Sequence, residues 1–148
     1  TFHLPLLAAS DDFRLTALVS SRAQADVAVA QFADTATMLA QSDAELVVIT
    51  APNAVHFSLA AQCLAAGRHV VLEKPMVNTV AEGRELMARA ERAGRLLSVF
   101  HNRRWDSDFL TLQALLARGE LGALRFFESR TSGRAFGTTS AHICWIRH

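Results

Sequence analysis

The chain has 148 residues, 51% of them hydrophobic and 20% charged, with a formal net charge of +1. That length and composition suit a soluble globular domain with a sizeable core and exclude a disordered chain. The near-zero charge gives no electrostatic reason to expect nucleic acid or an anionic membrane as partner. No apolar run approaches the roughly 20 residues of a membrane span, and no basic-then-apolar leader is expected.

In chain order, residues 1–10 read as a helix with Phe2, Leu6 and Leu7 on one side; Pro5 is tolerated only near a first turn. Residues 15–19 form a strand ending in Ser20-Ser21-Arg22, residues 27–30 a short strand, and Thr35–Gln41 a short helix. From Glu45 the pattern becomes regular. Leu46–Ile49 is a buried strand, and Asn53 is placed as an N-cap. Val55, Leu59 and Cys63 recur every four residues until Gly67 stops the helix. His69–Leu72 is the next strand, and Thr79 with Glu82 has the capping-box spacing for a helix ending at Gly94. Leu96–Phe100 is a further strand, Asp106 caps a helix closed by Gly119, and Leu124–Ser129 reads as a strand. Thr131–His148 shows no clear period and is expected to be a truncated or frame-shifted end.

Strand, helix, strand, helix, strand at this spacing means parallel pairing with right-handed crossovers. In a parallel sheet the segments that follow each strand lie along one edge, where open α/β sheets bind ligands. Here those segments are Ser20-Ser21-Arg22, Pro52-Asn53, Glu73-Lys74-Pro75 and His101-Asn102-Arg103. Pro75 disfavours a helical Lys74, so the amine is held at the strand mouth, where it can donate a proton.

Glu73-Lys74-Pro75, with Ala51-Pro52-Asn53 and His56 before it and Phe100-His101-Asn102-Arg103-Arg104-Trp105-Asp106 after it, resembles the glucose-fructose oxidoreductase, inositol dehydrogenase and rhizopine-catabolism (Gfo/Idh/MocA) family of NAD(P)-dependent oxidoreductases. The likeness runs from about Thr1 to about Ser129. It implies a Rossmann-like doubly wound parallel sheet over residues 1–122 and, from 123, the start of an α+β second domain. It also implies hydride transfer between NAD(P) and an alcohol carbon of a sugar or polyol, with Lys74 near the reacting carbon and the nicotinamide. An ammonium there stabilises a developing alkoxide or carbonyl charge. The plain alternative is a surface lysine paired with Glu73.

Glu73 orients Lys74 or the cofactor ribose, or sits solvated; the positioning role is the one adopted. By resemblance the turn Pro52, Asn53 and His56 touches the nicotinamide ribose, although Asn53 can serve as an N-cap and His56 as a satisfied interior histidine. Ser20, Ser21 and Arg22 bear on cofactor choice: no acid follows Val19 until Asp26, and hydroxyls with an arginine suit the 2′-phosphate of NADP better than the 2′-hydroxyl of NAD. Resemblance also brings the Arg-Arg-aromatic segment toward nicotinamide and substrate. Adjacent residues on an extended segment point opposite ways, so one arginine is assigned to the site, Arg103.

Cys63 and Cys144 have no metal or redox spacing, so no metal and a reducing cytoplasm are expected. The family's Asp-x-x-x-His pair is not matched, because Thr138 stands four places before His142. The chain begins at Thr1, and its first glycine is Gly67, so the opening strand and Gly-rich turn of a dinucleotide unit are not among these residues. In the order 3-2-1-4-5-6 that strand is central. The chain alone is therefore expected to be unstable, aggregation-prone at two unpaired strands, and inactive. Two other readings compete with the enzyme: a non-enzymatic nucleotide-binding or scaffold member, and an inactive gene remnant. The complete family member is expected to be a homo-oligomer.

Overall fold

The computed structural model describes residues 3–21, 28–128 and, as backbone, 142–147. The elements are α1 (His3–Ala8), β1 (Arg14–Val19), β2 (Ala30–Phe32), α2 (Thr35–Gln41), β3 (Leu46–Thr50), α3 (His56–Ala65), β4 (His69–Glu73), α4 (Val80–Ala93), β5 (Leu97–Phe100), α5 (Ser107–Ala117) and β6 (His142–Arg147). Short 3₁₀ turns at Asn53–Val55 and Asn102–Trp105 precede α3 and α5. Residues 1–100 with 140–148 form one compact unit, and residues 101–139 form a second.

In the first unit six strands lie in the order β2-β1-β6-β3-β4-β5. β1 pairs parallel with β2, and β4 pairs parallel with both β3 and β5. β6 is antiparallel to β1 and to β3, which therefore run the same way, so all strands except β6 share one direction. This is the expected Rossmann-like sheet.

The period of two in each strand sorts its side chains. Val47, Ile49, Val70 and Leu72 face one layer with Met38 of α2, Ala60, Ala61, Cys63 and Leu64 of α3, and Leu86 and Ala90 of α4. Leu18 and Val48 face the other side, packed by Leu4 and Leu7 of α1 and by Leu15, Val29, Leu46 and Val71. A strand buried on both faces needs a continuous apolar run, which is why Leu46-Val47-Val48-Ile49 does not alternate. The alanines of α3 let that helix lie close on the sheet, and burying each large aliphatic side chain is worth about 1.5–3 kcal/mol.

Helix ends follow the sequence signals. Thr79 accepts from the Glu82 backbone N–H while the Glu82 carboxylate accepts from the Thr79 backbone, a complete capping box. At the end of α3, Gly67 takes φ +71°; its N–H donates to Leu64 O and that of Arg68 to Cys63 O, a left-handed termination that favours glycine. Asp34 caps α2 through the Thr37 N–H, which holds its carboxyl below the ordinary range. Among the described residues no helix is long and apolar enough to cross a membrane.

Several expectations are corrected. The second strand lies at Ala30–Phe32 rather than 27–30. In α1 it is Leu4 with Leu7 that packs, while Leu6 is exposed; Phe2 lies outside the described residues. Residues 124–128 form no strand: Leu124, Phe126 and Phe127 are exposed, and among the described residues the segment has no ladder partner to fix it.

The largest correction concerns the tail. Residues 142–147, which showed no period, form β6 and fill the slot between β1 and β3, so those two strands are not bare. Unpaired backbone on two central strands accepts an extended segment in either direction, and Ile143, Trp145 and Ile146 are good strand formers. The fit is imperfect on one side: the register with β1 shifts between Leu15 and Ala17, whereas that with β3 is continuous from Leu46 to Thr50.

Candidate functional site

Because β1, β3 and β4 run the same way, the residues following them stand at one edge of the sheet. Ser20 and Ser21 follow β1, Pro52 and Asn53 follow β3, and Lys74 follows β4. The convergence expected from the sequence is present for these residues. Arg22 lies outside the described residues.

Glu73 ends β4 opposite Phe100 of β5. Its carboxylate is engaged rather than solvated: Oε1 lies 3.0 Å from the His3 Nε2, and Oε2 accepts the backbone N–H of Lys74 at 3.2 Å. Lys74 and Pro75 are exposed, joined by a cis peptide bond. Lys74 makes no side-chain ion pair with Glu73, whose oxygens face His3 and the residue 74 backbone instead, and its amine stands at the strand mouth.

His56 is fully buried. Its Nδ1 lies 2.9 Å from Pro75 O and 3.2 Å from Met76 O, and its Nε2 lies 2.9 Å from Ala51 O. The ring thus bridges the ends of β3 and β4. A neutral imidazole donates to one side of this bridge and an imidazolium to both. These contacts match the interior-histidine alternative and correct the ribose-contact reading, since no ring nitrogen is left for a ligand.

Asn53 does not cap α3: neither the 3₁₀ turn nor the helix has a side-chain cap. The helix is started instead by the turn, in which the His56 N–H bonds to Asn53 O. The Asn53 side-chain amide is thereby left at the exposed edge, while Asn78 Nδ2 donates to the Asn53 backbone carbonyl at 3.5 Å. The Ser20 N–H donates to Phe32 O at 3.0 Å, which fixes the turn after β1, and Ser21 is exposed.

Arg103 belongs to the second unit. There it is exposed and its Nη1 donates to Asp106 Oδ2 at 2.8 Å, a bond that holds the guanidinium protonated even more firmly than usual. Asp106 spends its side chain on that pair and makes no side-chain cap of α5.

His3 was not legible as a site residue. Within an apolar stretch it reads as one more helix position, and only the fold sets it against Glu73, 70 positions away.

This donor set suits a dinucleotide's sugar and nicotinamide ends: hydroxyls after β1, an amide after β3 and an ammonium after β4, with no acidic residue directly after Val19. A glycine turn for the pyrophosphate is not drawn from residues 1–66, which contain no glycine.

An open, mostly parallel α/β sheet carrying polar strand ends along one edge is the architecture of nucleotide-binding domains. Residues 1–101 match the Gfo/Idh/MocA group, described as "Oxidoreductase family, NAD-binding Rossmann fold", and the chain belongs to that family. It is 47% identical over 133 residues to the uncharacterized oxidoreductase YdgJ of Escherichia coli, covering 87% of this chain and 38% of that protein. It is 38% identical over 131 residues to the scyllo-inositol 2-dehydrogenase (NADP(+)) IolW of Bacillus subtilis, covering 86% of this chain and 37% of that protein. A Klebsiella pneumoniae crystal structure, described only as a candidate oxidoreductase, superposes with a TM-score of 0.78 at 43% identity over 82% of this chain and 37% of that one. The chain thus spans less than two fifths of the length of these curated relatives.

Proposed function

We propose that the protein to which this chain belongs moves a hydride between NAD(P) and a hydroxyl-bearing carbon of a sugar or polyol, with Lys74 giving or taking the hydroxyl proton. The observation that carries this reading is the placement of Lys74: an exposed amine at the mouth of β4, with the neighbouring carboxylate engaged elsewhere and the following turn braced by a buried imidazole.

When bound, the nicotinamide accepts or returns the hydride. In the oxidative direction the Lys74 amine takes the proton from the substrate hydroxyl as the carbinol C–H electrons leave; in reverse the ammonium protonates the carbonyl oxygen. Once protonated, its positive charge favours the alkoxide-like oxygen. Glu73 and His56 fix the strand end and turn from which Lys74 projects. Asn53 supplies an amide to the cofactor ribose. Ser20, Ser21 and Arg22 favour NADP over NAD, in line with the NADP(+) in the name of IolW. Self-association of the complete protein goes with this reading, as does a small-molecule rather than a nucleic-acid partner.

The test uses full-length protein, a panel of inositols and sugars, and both nucleotides. Turnover with NADP and a polyol is expected, with Lys74→Met losing about 10²–10⁴-fold in kcat while retaining NADPH binding. Full activity in Lys74→Met, or no binding of either nucleotide, overturns the reading.

A further inference from the structure

The imidazole of His3 lies behind the strand end that bears the candidate acid–base lysine. We propose that His3 is a positioning residue for the reaction above, holding Glu73 away from the Lys74 amine; the inference rests on that reading of Lys74.

Three contacts carry it. His3 is 7% exposed although it is the first residue of α1. Its ring packs on Phe100, centroids 4.5 Å apart and planes tilted by 51°. Phe100 is the direct cross-strand neighbour of Glu73, so the packing that orients the ring also aims Nε2 at the carboxylate, 3.0 Å away. One Glu73 oxygen is then held by the ring and the other by the Lys74 backbone N–H at 3.2 Å.

The consequence follows from chain geometry. A glutamate next to a lysine at an exposed strand end is a ready partner for the ammonium, and an ammonium so paired is withheld from substrate oxygen. A donor on Oε1 keeps the carboxylate turned to the rear. The lysine is thereby left to the pocket edge, and the backbone at residue 74 is pinned through Oε2. Helix α1 thus takes part in the acid–base site without touching substrate.

His3→Phe and His3→Gln in the full-length protein separate the parts. Phenylalanine keeps a ring against Phe100 and removes the donor; glutamine returns an N–H near the Nε2 position. The expected result is a loss of about tenfold in kcat for His3→Phe, with the NADP KM changed less than about twofold and most of the loss recovered in His3→Gln. Unchanged kcat in His3→Phe overturns the proposal, as does an equal loss in both variants accompanied by an equal fall in melting temperature. If the wild-type protein turns over no polyol, the reaction reading fails and a second measurement still decides the positioning. After reductive ¹³C-methylation, the Lys74 dimethylamine resonance is expected to move in His3→Phe and return in His3→Gln, and a resonance that stays put in both refutes it.

Discussion

Replacing His56 with leucine tests how the lysine-bearing turn is held. Leucine is of similar size and stays within the buried space, so the main loss is polar: Ala51 O loses its Nε2 partner, and Pro75 O and Met76 O lose Nδ1. A buried carbonyl left without a donor costs about 1–3 kcal/mol. A neutral ring donates to one side of the bridge, so the loss is about 2 kcal/mol, a large share of the roughly 5–15 kcal/mol that holds a domain folded. With a urea slope of about 2 kcal/mol per molar, the unfolding midpoint falls by about 1 M. The assay is urea denaturation of the full-length protein followed by fluorescence and circular dichroism, with NADPH binding measured on the folded variant. A midpoint displaced by less than about 0.3 M, together with weakened nucleotide binding, is the pattern of a direct ribose contact and refutes the bridge.

Two further outcomes are expected. Burial of Cys63 pushes its thiol from 9.0 up to about 12, so site-resolved alkylation at pH 8 leaves Cys63 unlabelled until denaturant is added. Between about pH 9 and 12 the unfolded thiol ionises while the folded one does not, which removes up to about 1.4 kcal/mol of stability per pH unit; rapid native labelling at pH 8 contradicts this burial. In the 148-residue chain, Cys144→Pro removes an N–H from the middle of β6, between Leu18 and Val48. Hydrogen exchange at β1 and β3 is expected to accelerate by tenfold or more, and unchanged protection there shows that β6 does not occupy the slot.

The parts of this fold that were legible are those where one local rule decides. The run Leu46–Ile49, the Thr79–Glu82 box and the Gly67 and Gly94 stops each carry their cause within a few residues, and each element formed where those causes lie. The common edge was legible too: β3 and β4 pair parallel, and β1 runs with them because β6 is antiparallel to both β1 and β3, so Ser20, Asn53 and Lys74 stand at one edge. What escaped was set by partners distant in the chain. Leu124–Phe127 has strand composition but no strand pairs with it among the described residues, while His142–Arg147 has no family pattern yet finds two strands with open backbone.

The same division separates the histidines. His56 carried two local readings, and burial chose between them by using both ring nitrogens on backbone carbonyls. His3 carried none, because its partners Glu73 and Phe100 meet it only after β4 and β5 are paired. A lysine at a strand mouth is an ordinary surface group until something occupies the carboxylate beside it and something fixes the turn after it. Here two imidazoles, from α1 and α3, hold the two sides of one strand end. The chemistry assigned to Lys74 therefore depends on side chains from α1 and α3 that stand behind the strand end rather than at the pocket.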